Sequence, residues 1–166
     1  RVHLISGLVT EGLLAEVFSN EGIGTLIFAS EYRQIRAATK RDAASILRLT
    51  REAMEQHQLT ERSEAAIEEK LDDYFIYELD ENPVACVALR RFPEENTGEI
   101  AHLYVNPLHG NRGIGQKLAQ YAGEIASEAG LKNLITLSTQ AFAFFQNKAG
   151  FTEGTIDDLP AGRRAE

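Results

Sequence analysis

The chain has 166 residues and a hydrophobic share of 43%, enough for one domain, alone or with an appendage, that buries about 70% of its unfolded surface. Charged residues make up an ordinary 25%, which excludes disorder over most of the length, and the longest apolar runs fall far short of the ~20 residues of a membrane span. The net charge of −8, with no lysine- or arginine-rich stripe, argues against nucleic acid, and the single cysteine, Cys86, excludes an internal disulfide and a cysteine-rich metal site, leaving the cytoplasm as the default location.

Residues 1–31 read differently from the rest. Val2, Leu4 and Ile5 suggest a short strand, Thr10 caps a helix with Leu13, Leu14, Val17 and Phe18 on its apolar face, and residues 25–28 read as another strand. Three such elements do not make an independent core. From residue 34 the pattern becomes regular: an edge strand at 34–38, then a helix starting at Thr39 or Asp42 with Ile46, Leu47, Leu49, Ala53 and Met54 at spacings of three and four. A second helix starts at Ser63 with Ala66, Ile67 and Leu71 inward, its first turns acidic as the helix dipole favours. Strands follow at 74–79, 84–92 and 99–105, joined by a turn at 80–83 and a looser one at 93–98. A long helix spans 114–129, with Leu118, Tyr121, Ala122 and Ile125 inward and Gly130 at its end. The remaining elements are a strand at 134–137, a short helix at 141–147 and a last strand beginning at 150–156. This order predicts a mixed sheet with helices on it, an α+β or α/β arrangement.

Between the third hairpin strand and the long helix lie Gly110, Asn111, Arg112, Gly113, Ile114, Gly115 and Gln116. Glycines here permit left-handed backbone angles and close approach of a ligand. The first amides of the helix lack intrahelical partners and, with the dipole, form a site for pyrophosphate. Arg112 and Lys117 add local positive charge to an acidic chain. The same glycines also serve simply to shape a tight turn. A dinucleotide fold is disfavoured, because the preceding strand follows antiparallel hairpins rather than opening a parallel unit.

With the strand ending in Asn106 and Pro107, and with Ala149, Gly150 and Phe151 downstream, this loop resembles the GNAT superfamily of N-acetyltransferases. Gly113 and Gly115 match the last two positions of the family's loop pattern. Gly110 stands where Gln or Arg is usual, and Gln146 where a tyrosine general acid is common. More narrowly, the whole chain is similar to the C-terminal part of the bacterial N-acetylglutamate synthases. Residues 1–7, 13–18 and 21–25 resemble the end of their amino-acid-kinase-like domain, and residues 92–95, 98–101, 137–139, 145–146 and 158–160 resemble their acetyltransferase domain. The resemblance implies a kinase-like remnant over 1–31, followed by a GNAT domain over 32–166 that lacks the family's final strand and the glutamate ligands on it. It also implies helices on both faces of the sheet.

The implied reaction is attack of the α-amine of L-glutamate on the thioester of acetyl-coenzyme A, without a metal. An ammonium cannot attack, so a base must take a proton, and the developing oxyanion needs donors. On the resemblance, Leu103, Tyr104 and Val105 form the cofactor strand, Gly110 to Gln116 the pyrophosphate loop, Glu99 the base, and Ser138 the group beside the leaving thiolate. Glu99 also reads as a solvated strand-end residue, and Ser138 as a partner for a nearby backbone amide. Glutamate brings two carboxylates, which calls for arginine forks. Arg62 matches a basic position of the synthases, with Arg90 and Arg91 as alternatives. His102, taken with Arg62 as a substrate-side residue, points away from Glu99 on a regular strand and towards it only through a bulge. Phe142, Phe144 and Phe145 read as core, Cys86 as packed within the sheet, and Glu68, Glu69, Asp72 and Asp73 as a solvated face. The resemblance further implies homo-oligomers, since the synthases assemble through the kinase-like domain. A transferase for another amine and a non-catalytic acyl-coenzyme A-binding module remain alternative readings of the residues.

Overall fold

The computed structural model describes residues 2–4, 6–8, 10–11, 25–27, 34–138 and 141–164. The helix expected at Leu13, Leu14, Val17 and Phe18 lies outside the described residues. The strands expected on either side of it are β1 (Val2–Leu4) and β2 (Thr25–Ile27), which pair antiparallel with Val2 opposite Ile27. They form a two-stranded sheet of their own.

The main sheet has five strands in chain order: β3 (Ile35–Ala37), β4 (Tyr74–Leu79), β5 (Asn82–Phe92), β6 (Thr97–Val105) and β7 (Asn133–Thr136). All neighbours are antiparallel except β6 and β7, which run parallel. The β4–β5 turn holds Asp80 and Glu81 at φ 48° and 64°. Two central residues at positive φ give the turn whose twist matches paired strands.

Helix α1 (Ala43–Glu55) and helix α2 (Glu64–Glu69) cover one face. Ile46, Thr50, Ala53 and Met54 form the buried stripe of α1, where the Thr50 hydroxyl is satisfied by donating to the Ile46 carbonyl at 2.8 Å. Ser63 caps α2 by accepting from the Ala66 amide at 3.2 Å. Helix α3 (Ile114–Glu128) and helix α4 (Phe142–Lys148) belong to the other face. Ile114, Leu118, Ala119, Ala122 and Ala126 are buried along α3, with Tyr121 and Ile125 only partly so. Gly130, at φ 78°, ends α3 while the Leu131 amide bonds the Ala126 carbonyl at 2.9 Å. Two cores result. Val87, Leu89, Ile100, Leu118 and Phe145 belong to one, and Ile46, Ile67, Tyr74, Ile76 and Cys86 to the other. Phe144 packs with the first core, whereas Phe142 is about half exposed, contrary to its expected core role.

The expected last strand at 150–156 does not form. The Asp158 carboxylate accepts from the Thr155 amide at 2.6 Å and its hydroxyl at 3.1 Å, opening a 3₁₀ turn at Ile156–Asp158. A one-turn helix α5 (Ala161–Arg164) follows, with the Ala161 amide donating to the Glu95 carboxylate at 2.9 Å.

The start of α1 is fastened by a charge cluster. Asp42, nearly buried, accepts from Arg36 at 2.8 and 2.9 Å and from the Thr39 amide and hydroxyl at 2.7 Å. Arg36 holds the Asp42 carboxyl down at about 2. Because this lies below the value of an unfolded aspartate, its stabilisation is complete above about pH 4 and fades as pH falls towards 2. Arg36 is partly solvated, so Asp42→Asn is expected to cost about 1–2 kcal/mol at neutral pH. Chemical denaturation at pH 7 and pH 2.5 checks this, with the difference between the two proteins shrinking at the lower pH.

Candidate active site

The site begins with a defect in β6. Cys86 pairs with Tyr104 and Ala88 with Ala101, so Val87 alone faces both His102 and Leu103. His102 takes the extra place at φ 51°, the left-handed region. The bulge shifts the alternation of side chains by one residue. Ile100, Leu103 and Val105 face the α3 side, while Ala101 and Tyr104 pack with the α1 and α2 side. His102 joins the latter group, its ring against Tyr74, and lines one cavity with Glu99. Parallel pairing with β7 ends at Ile100 opposite Thr136, so β6 runs on from residue 101 beyond its ladder with β7.

That cavity, about 810 Å³, is lined by Arg62, Arg90, Glu99, His102, Ser138 and Arg163 among others. Glu99 is 2% exposed and accepts from Arg90 Nη1 at 3.3 Å and Arg163 Nε at 3.2 Å. Arg90 stands opposite Glu99 in the β5–β6 register, whereas Arg163 reaches in from α5. A carboxylate has roughly four acceptor sites, so two guanidiniums leave room for a further partner.

His102 is 7% exposed. Its Nδ1 lies 2.9 Å from the Tyr74 hydroxyl, and its Nε2 is buried with no partner among the described residues. An unpaired buried polar atom costs about 1–3 kcal/mol, so a retained one asks for a ligand or a role. Burial, reinforced by the positive charge of Arg62, pushes the imidazole down to about 4 and keeps it neutral at neutral pH. Burial pushes the Tyr74 hydroxyl up to about 12, against the opposing effect of Arg62. The Arg62 guanidinium sits 6.0 Å from the Tyr74 ring centre. Cys86 is packed in the sheet, its Sγ donating to the His102 carbonyl at 3.6 Å, and burial pushes its thiol up to about 12. That describes an inert thiol. Ser138 lines the cavity and accepts from the Ala141 amide at 2.8 Å, a bond that does not use its hydroxyl proton.

The glycine loop follows β6. Asn106 accepts from the Leu108 amide at 3.0 Å, and Pro107 to His109 form a 3₁₀ turn in which His109 Nδ1 is buried without a partner among the described residues. Asn111 at φ 60° and Gly113 at φ 73° then turn the chain into α3. The first i→i−4 bond of α3 runs from the Lys117 amide to the Gly113 carbonyl at 3.0 Å, so the amides of Ile114, Gly115 and Gln116 precede the ladder. The three glycines do different things. Gly113 supplies a left-handed backbone with open space around it. Gly115 makes room for packing, since a Cβ there stands 3.3 Å from the Phe144 ring and 3.5 Å from Val105. A Cβ at Gly110 meets the Pro107 carbonyl oxygen at 3.1 Å, a physical reason for the absence of a side chain at that position.

The structure therefore gathers Glu99, His102, Arg62 and Ser138 around one cavity, with Leu103 and Tyr104 in its wall, and sets Gly110 to Gln116 beyond Val105. Arg91 is not in this cavity wall; it bonds Asp73 at 3.0 Å. Gln146 lines a second cavity of about 440 Å³, between β7 and residues 151–159. Reading the sequence alone missed Tyr74 and Arg163. Counting the β5–β6 register back from the turn singles out Arg90, but no local signal marks Arg163, 64 residues from its partner. Among the described residues, no group of three or more His, Cys, Asp and Glu side chains is arranged to hold a metal, and no helix is long and apolar enough to cross a membrane.

A mixed sheet whose parallel pair separates beside a glycine-opened helix defines an acyl-transferase-type architecture. Residues 41–151 match the acetyltransferase (GNAT) family model, and the chain belongs to that family. It is 38% identical to the amino-acid acetyltransferase of Serratia proteamaculans (strain 568), over 99% of this chain and 37% of that protein. The chain thus spans little more than a third of the curated relatives it matches. It is also similar to the N-acetylglutamate synthase from Neisseria gonorrhoeae. In that protein's structure with coenzyme A and L-arginine, the TM-score is 0.80 at 34% identity, over 99% of this chain and 38% of that one. In its structure with coenzyme A and N-acetyl-glutamate, the TM-score is 0.77 at 34% identity, over 93% of this chain and 36% of that one.

The glycine roles separate by mutation. Gly113→Val is expected to cost about 1–2 kcal/mol through backbone strain alone. Gly115→Val is expected to cost about 1–3 kcal/mol by overpacking. Combining each with Phe144→Ala in thermal denaturation should relieve the second loss and not the first.

Proposed function

We propose that this domain transfers the acetyl group of acetyl-coenzyme A to the α-amine of L-glutamate, the first step of arginine biosynthesis. The observation that carries this reading is the cavity lined by Arg62, Arg90, Arg163 and the buried Glu99, with Arg90 and Arg163 on the Glu99 carboxylate, where β6 runs on beyond β7. Guanidiniums are the side chains suited to a dicarboxylate acceptor. In this reading, backbone groups of Leu103, Tyr104 and Val105 hold the pantetheine arm. Gly110, Asn111, Arg112, Gly113, Ile114, Gly115 and Gln116 hold the pyrophosphate at the positive end of α3. Arg62 and His102 contact the substrates. Glu99 takes the ammonium proton, directly or through water, and Ser138 donates towards the departing sulfur. The amine then attacks the thioester carbon, the oxyanion collapses, the carbon–sulfur bond breaks, and the thiolate is protonated. Residues 1–31 are the tail of an amino-acid-kinase-like domain and 32–166 the acetyltransferase domain, with assembly into homo-oligomers in the complete protein. The relatives named amino-acid acetyltransferase and the synthase bound to coenzyme A and N-acetyl-glutamate support this assignment.

A second reading, an acyl-coenzyme A-binding module without turnover, draws on two features. Gly110 replaces a side chain of the pyrophosphate clasp, and Glu99 is already engaged by two arginines.

Release of free coenzyme A thiol from acetyl-coenzyme A, with L-glutamate and a panel of other amines, decides between them. We expect glutamate-selective release. Glu99→Ala should lower kcat by about 10²–10⁴-fold, and Arg62→Ala should chiefly raise the KM for glutamate. Turnover with other amines but not glutamate would overturn the acceptor. Cofactor binding with no turnover would leave the binding module.

A further inference from the structure

The mechanism above gives one buried group, His102, contact with the substrates but no part in a chemical step. His102 occupies the bulge where β6 runs past its ladder with β7, and its Nε2 is buried in the cavity wall without a partner among the described residues. Its protonation pattern follows from its neighbours. Tyr74 from β4 meets Nδ1 through its hydroxyl, and the guanidinium of Arg62, ahead of α2, lies 6.0 Å from the centre of the Tyr74 ring. Among the described residues the Tyr74 hydroxyl meets no acceptor other than Nδ1, so the phenol gives its proton to that nitrogen. Nδ1 is then an acceptor, and the ring proton sits on Nε2. Cys86 of β5 donates to the His102 carbonyl rather than to its ring and does not compete. Arg62 also disfavours a charged imidazolium.

We propose that His102, locked by Tyr74 as its Nε2–H tautomer, is a neutral side-chain donor to the acetyl carbonyl oxygen. This rests on the acetyl-transfer reading and assigns a residue to the charge that develops in it. When the amine nitrogen bonds the acetyl carbon, the carbonyl π pair moves onto oxygen, and the Nε2–H stabilises that oxyanion without transferring its proton. Collapse restores the carbonyl and expels the thiolate, which takes up the proton released by the amine. A cofactor lying along residues 103–105 presents its thioester beside residue 102. A single neutral donor suits an oxygen that becomes charged only in the transition state, whereas carboxylates are matched by the surrounding guanidiniums.

The test uses the full chain carrying isotope-labelled histidine. Nuclear magnetic resonance at neutral pH should give His102 protonated at Nε2 and bare at Nδ1, and Tyr74→Phe should mix the tautomers. A proton at Nδ1, or an imidazolium, would overturn the proposal. His102→Ala should lower kcat about 10²-fold with the KM for the acceptor unchanged. His102→Gln, whose amide reaches the same point, should recover most of the loss. Full kcat in a folded His102→Ala protein would sink it. If the wild-type chain turns nothing over, the acetyl-transfer reading fails by itself. The labelled Nε2 resonance then decides, supporting the donor if it moves with acetyl-coenzyme A and not with coenzyme A, and refuting it if it does not.

Discussion

The arrangement of this domain depends on a single backbone irregularity, the left-handed residue in the middle of β6. A non-glycine residue at φ 51° costs roughly 1–2 kcal/mol and persists only where its surroundings over-determine it. Here the surroundings do so. Paired residues flank the bulge on both sides, Cys86 Sγ donates to the carbonyl of His102, and the Tyr74 hydroxyl meets its ring. The result is a strand that gives one kind of surface before the bulge and another after it. Residues 97–100 are held between two neighbours, whereas residues 101–105 retain their ladder with β5 alone among the described strands. The helix that begins at Ile114 then closes the far end of that free stretch.

Around this frame an acidic chain concentrates its positive charge locally. Its net charge of −8 offers no attraction to an anion at long range, so recognition rests on short-range donors. Arg90 and Arg163 meet at one carboxylate, and Arg62 lies over the Tyr74 ring. Burying such pairs is a weak source of stability, because desolvation offsets much of the attraction. Their effect is orientation: Glu99 cannot turn away from the cavity while two guanidiniums hold its oxygens. The cluster of Arg36, Asp42 and Glu78 does comparable work at the start of α1, away from the cavity.

Much of the fold was legible from periodicity. The strand at 74–79 and the helices starting at Ser63 and Ile114 carry their boundaries in Ser63, Asp80 and Gly130, residues whose local chemistry decides where an element stops. The third hairpin strand starts at Thr97, two residues earlier than composition suggests, because Asn96 at φ 49° completes the turn by itself. The stretch at 150–156 has strand-like residues, yet it enters no ladder and ends in a 3₁₀ turn where the Thr155 amide donates to Asp158. In the site, Glu99, Arg62 and the glycine loop could be read from motif and resemblance. Which way His102 points could not, since one extra residue in a strand reverses every side chain after it. Tyr74 looked like ordinary strand filler, and its importance comes from a partner 28 positions away.

The contact between Glu99 and Arg163 also orders events in time. Domains assemble as they leave the ribosome, amino end first. A nascent chain released as far as β7 already has the sheet strands and the helices α1, α2 and α3 in hand. Glu99 then has Arg90 beside it but not Arg163, which arrives only with α5, anchored through Glu95 to the Ala161 amide. The cleft therefore acquires its full charge pattern after its walls, so a growing polypeptide can be folded for some time before it is chemically mature.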